Sequence, residues 1–180
     1  MKQKINVIDL DGTLIPFDSY SKFLLRTVKS VKFFIPTIIL ILFRKCRVIK
    51  LSTQKKYSII LNRKSKDSKK WIKKYAAEIY KNIDPDIMLI IEEFSDDSTK
   101  NILCTASPKD YAIEIAKLLD WECVASSYDG KVFKHLYGEN KLKEIIEIYP
   151  QNEYSYNFSI SDSKTDLALL KEFQNYKLIN

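Results

Sequence analysis

A chain of 180 residues, 46% of them hydrophobic, can bury the core of one ordinary domain plus an insertion. Its three cysteines, Cys46, Cys104 and Cys123, lie far apart with no C-x-x-C pair, which argues against a disulfide framework or a zinc site and for a reducing, cytoplasmic setting with no secretory leader. The net charge of +7 is unevenly spread: between Lys22 and Lys74 stand 17 Lys or Arg and one acid, Asp67, a balance of +16, while the remainder carries −9.

Residues 4–10 read as a strand that runs into Asp9, Leu10, Asp11, Gly12 and Thr13. Residues two apart on a strand share a face, so Asp9 and Asp11 are expected to point the same way at its end. Two like charges that close are costly unless a cation or a shared proton relieves them. The ordinary alternative is a solvated carboxylate pair beside a D-G turn.

Asp18 or Ser19 can cap a helix reaching about residue 30. Within the basic block, Phe33 to Phe43 is a run of 11 residues broken by Pro36 and flanked by Lys29, Lys32, Arg44, Lys45 and Arg47. As a helix it would span about 16 Å, roughly half a bilayer core, and so is too short to cross one. Two readings stand side by side: a buried helix of an inserted domain, or an interfacial segment lying apolar side down on anionic head groups. Nucleic-acid binding fits the lysines and aromatics only loosely and is not favoured.

Helical patterning continues to about residue 97. Trp71, Ile72, Tyr75, Ala76 and Ile79 make one apolar stripe, and Pro85 opens another helix. After Asp96-Asp97-Ser98 strands and helices alternate. Asn101 to Thr105 is a strand. Ser107-Pro108-Lys109-Asp110 offers a cap, a proline at the first helical position and a capping-box acid for a helix to Leu119. Cys123 to Ser126 is a strand, and Tyr128-Asp129-Gly130 turns a hairpin into Val132-Phe133. Lys141 begins a helix, 153–160 is a strand, Asp166 to Phe173 a helix and Tyr176 to Ile179 a last strand, with no further C-terminal module expected.

The fold class expected is therefore α/β: a Rossmann-like parallel sheet from residues 1–14 and 98–180, with a helical cap, 15–97, inserted after the first strand. In such a sheet ligands bind beyond the carboxyl ends of the strands. Asp9 and Asp11 end the first. Thr105-Ala106-Ser107 ends another at a helix start, where backbone N–H groups favour an anion. Ser161-Asp162-Ser163-Lys164-Thr165-Asp166 ends a third.

In this order the motifs resemble those of the haloacid dehalogenase-like superfamily, in its phosphoserine phosphatase-like subgroup. D-x-D-G-T is matched by Asp9, Asp11, Gly12 and Thr13, the Ser/Thr strand end by Thr105, the lysine by Lys141, and the acidic loop by Asp162, Ser163 and Asp166. Lys131 and Lys134 are rival placements of the lysine, and Ser161 stands where that family has glycine. Thr105-Ala106-Ser107-Pro108, the Ser161 to Asp166 run and the apolar, basic stretch also resemble phosphatidylglycerophosphatases of the C type. The resemblance implies a Mg²⁺-dependent phosphatase acting on a small phosphorylated substrate. Asp9 would be the nucleophile, Asp11 the acid/base, and Asp9, Asp11 (through its carbonyl) and Asp162 the metal ligands. Gly12, Thr105, Ala106 and Lys141 would bind phosphate, and Asp166 would support them. All four acids and Lys141 are expected to surround one cation. Alternatives are a lipid head-group phosphatase at the inner membrane surface, reached through the basic cap, and a non-catalytic membrane- or polyanion-binding module.

Overall fold

The computed structural model describes residues 2–28 and 34–179. Lys29, Lys32 and Phe33 lie outside the described residues. In chain order the elements are β1 (Gln3–Ile8), α1 (Ser19–Val28), α2 (Phe34–Lys45), α3 (Leu51–Arg63), α4 (Ser68–Tyr80), α5 (Pro85–Glu93), β2 (Thr99–Pro108), α6 (Lys109–Leu119), β3 (Glu122–Tyr128), β4 (Phe133–Lys134), α7 (Glu139–Ile148), β5 (Tyr154–Ser161), a 3-10 turn (Lys164–Asp166), α8 (Leu167–Leu170) and β6 (Asn175–Leu178). The sheet order is β4-β3-β2-β1-β5-β6, parallel except for the β3–β4 hairpin. The expected α/β core with helices inserted after the first strand is what forms.

Parallel strands are covered on both faces, and β1 shows how. Ile5 and Val7 pack with Leu136, Ile145, Tyr149 and Leu169 below the sheet. Ile8 and Leu10 pack above it with Phe23, Tyr75, Ile91 and Tyr111, so α1, α4, α5 and α6 share one apolar cluster with the sheet. In β5, Tyr156 joins the lower cluster and Phe158 the upper, although strand periodicity would place residues two apart on one face. The register shift opposite Ile5/Asn6 explains this, because one extra residue in the bulge reverses the alternation. Asn157 at that bulge donates to Asn6 Oδ1 (2.9 Å) and to the Phe94 carbonyl (2.7 Å), and Asn6 donates to Asn101 Oδ1 (2.9 Å). The end of α5 is thus stitched to the middle of the sheet.

Local signals account for most helix starts. Asp18 caps α1, accepting from the Tyr20 and Ser21 N–H groups at 2.8 and 3.2 Å, and Asp84 caps α5 ahead of Pro85. Four apolar residues of the α4 stripe, Ile72, Tyr75, Ala76 and Ile79, are buried. Pro36 lies near the start of α2 as described, and the helix runs on past it. The reading of this segment as a buried helix holds for one side only: Thr37 is buried and Ile41 packs against the core, while Ile35, Ile39, Leu42 and Phe43 face outward. No helix among the described residues is long and apolar enough to cross a membrane. The helix expected over Asp166 to Phe173 is shorter and begins as a 3-10 turn, because Asp166 is drawn inward by Lys141 and Ser161.

Candidate active site

The ladder of β1 extends one residue beyond Ile8, with Asp9 N–H donating to the Ile160 carbonyl at 3.0 Å. There the Asp9 carboxylate meets Lys141, which α7 delivers from its first turn: Lys141 Nζ lies 2.9 Å from Asp9 Oδ1 and 2.7 Å from Asp166 Oδ2. Leu10 N–H also donates to Asp9 Oδ1 (2.9 Å). The Ser161 hydroxyl stands 2.9 Å from Asp166 Oδ2 and 3.3 Å from Asp9 Oδ2, and accepts from Ser163 N–H. Where the resemblance leads one to expect glycine, this chain therefore carries a hydroxyl between two carboxylates. Lys141 is 3% exposed and Asp166 2%. Burial pushes Asp9 up to about 6, against the pull of Lys141. Burial also opposes the charge of Lys141, but Asp9 foremost and then Cys104 and Asp166 carry its pKa well above that of an ordinary lysine. The rival lysines do not reach this place: Lys131 is exposed, and Lys134 pairs with Glu144.

Asp11 parts from Asp9. The strand ends before it, so the two-residue periodicity does not carry through, and its carboxylate turns to the start of α1. Oδ1 accepts from Ser19 N–H at 2.6 Å and Oδ2 from Ser107 Oγ at 2.5 Å. Ser19 Oγ in turn meets Tyr111 OH at 2.9 Å and Ser107 Oγ at 3.2 Å. Burial raises the pKa of Asp11, against the Ser107 and Ser19 bonds. Ser107 was expected to cap α6. Instead Pro108 takes the cap position with no side-chain bond, and Ser107 serves Asp11. The capping-box acid Asp110 pairs with Arg63 of α3.

Gly12 has φ +74°, and a methyl group there would overlap the Asp162 carboxylate. A glycine is required both by the turn and by this close approach. Thr13 Oγ1 accepts from Asp162 N–H (2.9 Å) and lies 3.3 Å from Asp162 Oδ1. Thr105 is buried, and its Oγ1 accepts from Ser107 N–H, which leaves its own O–H to donate. At Thr105/Pro108 the register with β3 shifts, and the Ala106 carbonyl accepts from Ser126 Oγ (2.8 Å) and Lys55 Nζ (2.7 Å).

The four acids do not form one cage. Among the described residues no three His, Cys, Asp or Glu side chains gather as a metal-binding group. The reason is local: Asp11 is taken up at the start of α1, and Asp166 by Lys141. Two carboxylates remain open, Asp9 through Oδ2 and the exposed Asp162. A hard cation such as Mg²⁺ takes one or two protein carboxylates and keeps several waters, so this donor set fits it. Charge points the same way, because Asp9 and Asp166 ionised around one ammonium leave one buried negative charge uncompensated.

Lys55 carries no motif in the sequence. It extends from α3 with 5% exposure, its Nζ 5.2 Å from the Tyr20 ring centre. Burial lowers its pKa, opposed first by Asp11 and Asp18. Tyr111 is likewise silent in the sequence, and Ser19 and Ser161, legible there only as a possible helix cap and a motif departure, are brought to the carboxylates by the tertiary fold.

A model of the family described as haloacid dehalogenase-like hydrolase matches residues 7–171. No curated protein matches the chain. Among solved structures, a protein of unknown function from Bordetella pertussis Tohama I superposes with a TM-score of 0.73 at 15% identity, over 98% of this chain and 89% of that one. A phosphoserine phosphohydrolase-like protein from Francisella tularensis subsp. tularensis SCHU S4 gives 0.58 at 16% identity, over 96% and 85%. A phosphoserine phosphatase solved as a phospho-aspartyl intermediate analogue gives 0.50 at 14%, over 98% and 86%. At these identities the likeness is one of fold.

Proposed function

We propose a reaction for this chain from the premise that it belongs to the haloacid dehalogenase-like hydrolases: it transfers the phosphoryl group of a phosphomonoester to Asp9 and then to water. The observation that carries this reading is the buried ion pair of Lys141 with Asp9, backed by Asp166. Lys141 and the Leu10 N–H hold the Asp9 carboxylate through Oδ1, and Oδ2 keeps only its long contact to Ser161.

A carboxylate attacks a phosphate dianion only where the charge between them is offset. Lys141 supplies one positive charge. Mg²⁺, held by Asp9, Asp162 and the Asp11 carbonyl, would supply more and polarise the phosphoryl oxygens. The Thr105 hydroxyl and Ala106 N–H bind those oxygens. One carboxylate oxygen of Asp9 forms a bond to phosphorus while the bond to the leaving alkoxide breaks, and Asp11 gives that alkoxide its proton. A water then attacks phosphorus, Asp11 takes the water's proton, and the Asp9–phosphorus bond breaks to release phosphate. Ser19 and Ser107 hold the Asp11 carboxylate in place for both transfers.

The helices of 15–97 act as the cap, screening the site from water and selecting the substrate. Lys55, the cap lysine nearest the strand end at Ala106, favours a small anionic phosphomonoester. A phosphorylated lipid head group is a second reading, supported by the exposed apolar face of α2. Hydrolysis of p-nitrophenyl phosphate tests the proposal. Phosphate release is expected to stop in Asp9→Asn and with a chelator, and to return with Mg²⁺. Sustained release by Asp9→Asn would reject Asp9 as nucleophile.

A further inference from the structure

Helix α2 sets Ile41 against the main apolar cluster but leaves a second apolar face to water. Its fully buried residue is Thr37, whose hydroxyl has no hydrogen-bond partner among the described residues. Its large apolar residues Ile35, Ile39, Leu42 and Phe43, spaced i, i+4, i+7 and i+8, are 68, 43, 51 and 48% exposed. That spacing puts them on one stripe about 12 Å long. Val48, just beyond the helix, and Leu25 of α1, which packs beside α2, are also exposed.

The charge around the stripe is of one sign. Arg44, Lys45, Arg47 and Lys50 are exposed at its C-terminal end. Only Asp67 among residues 22–74 is acidic. The ion pairs that engage this block among the described residues are Arg26–Glu78 and Arg63–Asp110, and neither involves a residue of α2.

We infer that α2 docks in the plane of an anionic phospholipid surface, its apolar stripe among the acyl chains and its basic residues on the head groups. An apolar face rimmed by cations matches a surface that is apolar beneath and negative above. A second copy of this chain would instead bring one uncompensated basic block against another. The helix is too short to cross the bilayer, so the contact is peripheral and reversible. The inference does not depend on the proposed reaction, since it is read from binding.

The test is co-sedimentation of the full chain with vesicles of equal parts phosphatidylglycerol and phosphatidylcholine, against phosphatidylcholine alone. Binding is expected to the anionic vesicles only. It should fall as salt rises from about 0.1 M to about 1 M and the screening length shrinks from about 10 to about 3 Å. Ile39→Asp with Leu42→Asp, and separately Arg44→Gln with Lys45→Gln, should each weaken it about tenfold or more, with hydrolysis of p-nitrophenyl phosphate unchanged. Equal binding to both vesicles, or variants that bind like the parent, would overturn the inference. So would sedimentation velocity showing a dimer that Ile39→Asp with Leu42→Asp splits, because the stripe would then belong to self-association. A parent that binds anionic vesicles but hydrolyses nothing would refute the phosphatase reading and leave this one standing.

Discussion

Lys141 is the residue on which the site's electrostatics turn. It separates two buried carboxylates, so its removal leaves Asp9 and Asp166 facing each other without a cation. Breaking a buried pair by deleting one partner costs about 3–5 kcal/mol. Lys141→Met should show a loss of that order in urea unfolding, measured with chelator present. Lys141→Met combined with Asp166→Asn should recover part of it. A loss below about 1 kcal/mol would mean that the triad is not a unit. Lys55 behaves differently, since it is a buried ammonium bonded to the Ala106 carbonyl. Lys55→Met should raise KM for an anionic phosphomonoester about tenfold or more with kcat little changed, the pattern of lost uniform binding. A fall in kcat at constant KM would contradict that role. Lys141 was legible in the sequence because it opens a helix in a recognisable order of motifs. Lys55 was not, because beside Lys56 in a basic helix nothing local distinguishes the inward lysine from its neighbour.

At the scale of elements, the β4 segment offers an independent check on packing. Phe133, His135 and Tyr137 stack in alternation, with centroids 5.9 Å apart, and His135 Nε2 is buried without a partner among the described residues. Burial foremost, and then the charge of Lys55, pushes the imidazole down to about 4. His135 is the only histidine, so one resonance reports it cleanly. NMR should follow a midpoint near 4, while a midpoint near 6.5 would show the ring to be solvated. The sign for stability follows: as pH falls below about 6.5 the unfolded chain takes the proton first, so stability falls until about pH 4 and then levels. Helices announced themselves by stripe and cap, as α4 and α5 do. What stayed hidden depended on partners distant along the chain. The β5 bulge needs Asn6 and Phe94, the Ser107 hydroxyl needs Asp11, and the outward face of α2 is invisible to a hydropathy pattern that marks its residues as apolar on every side.

For the whole molecule, the division of charge is the organising fact. An acidic sheet domain presents carboxylates at the ends of β1 and β5, and a basic helical block lies over it, reaching in through Lys55 and across through Arg63. The family and the α/β class could be read from the sequence because the charged motifs sit at strand ends, where turn chemistry and strand grammar coincide. The substrate could not, because which residues of the helical block turn inward, Lys55 among them, is decided by packing. The most direct test of the account is to trap the covalent intermediate. The enzyme is acid-quenched during turnover of p-nitrophenyl phosphate with Mg²⁺, treated with borohydride, which reduces an acyl phosphate to the alcohol, and digested for mass spectrometry. The account predicts homoserine at Asp9 and at no other carboxylate. Continued turnover with Asp9 unmodified, or with the modification at Asp11 or Asp162, would contradict it.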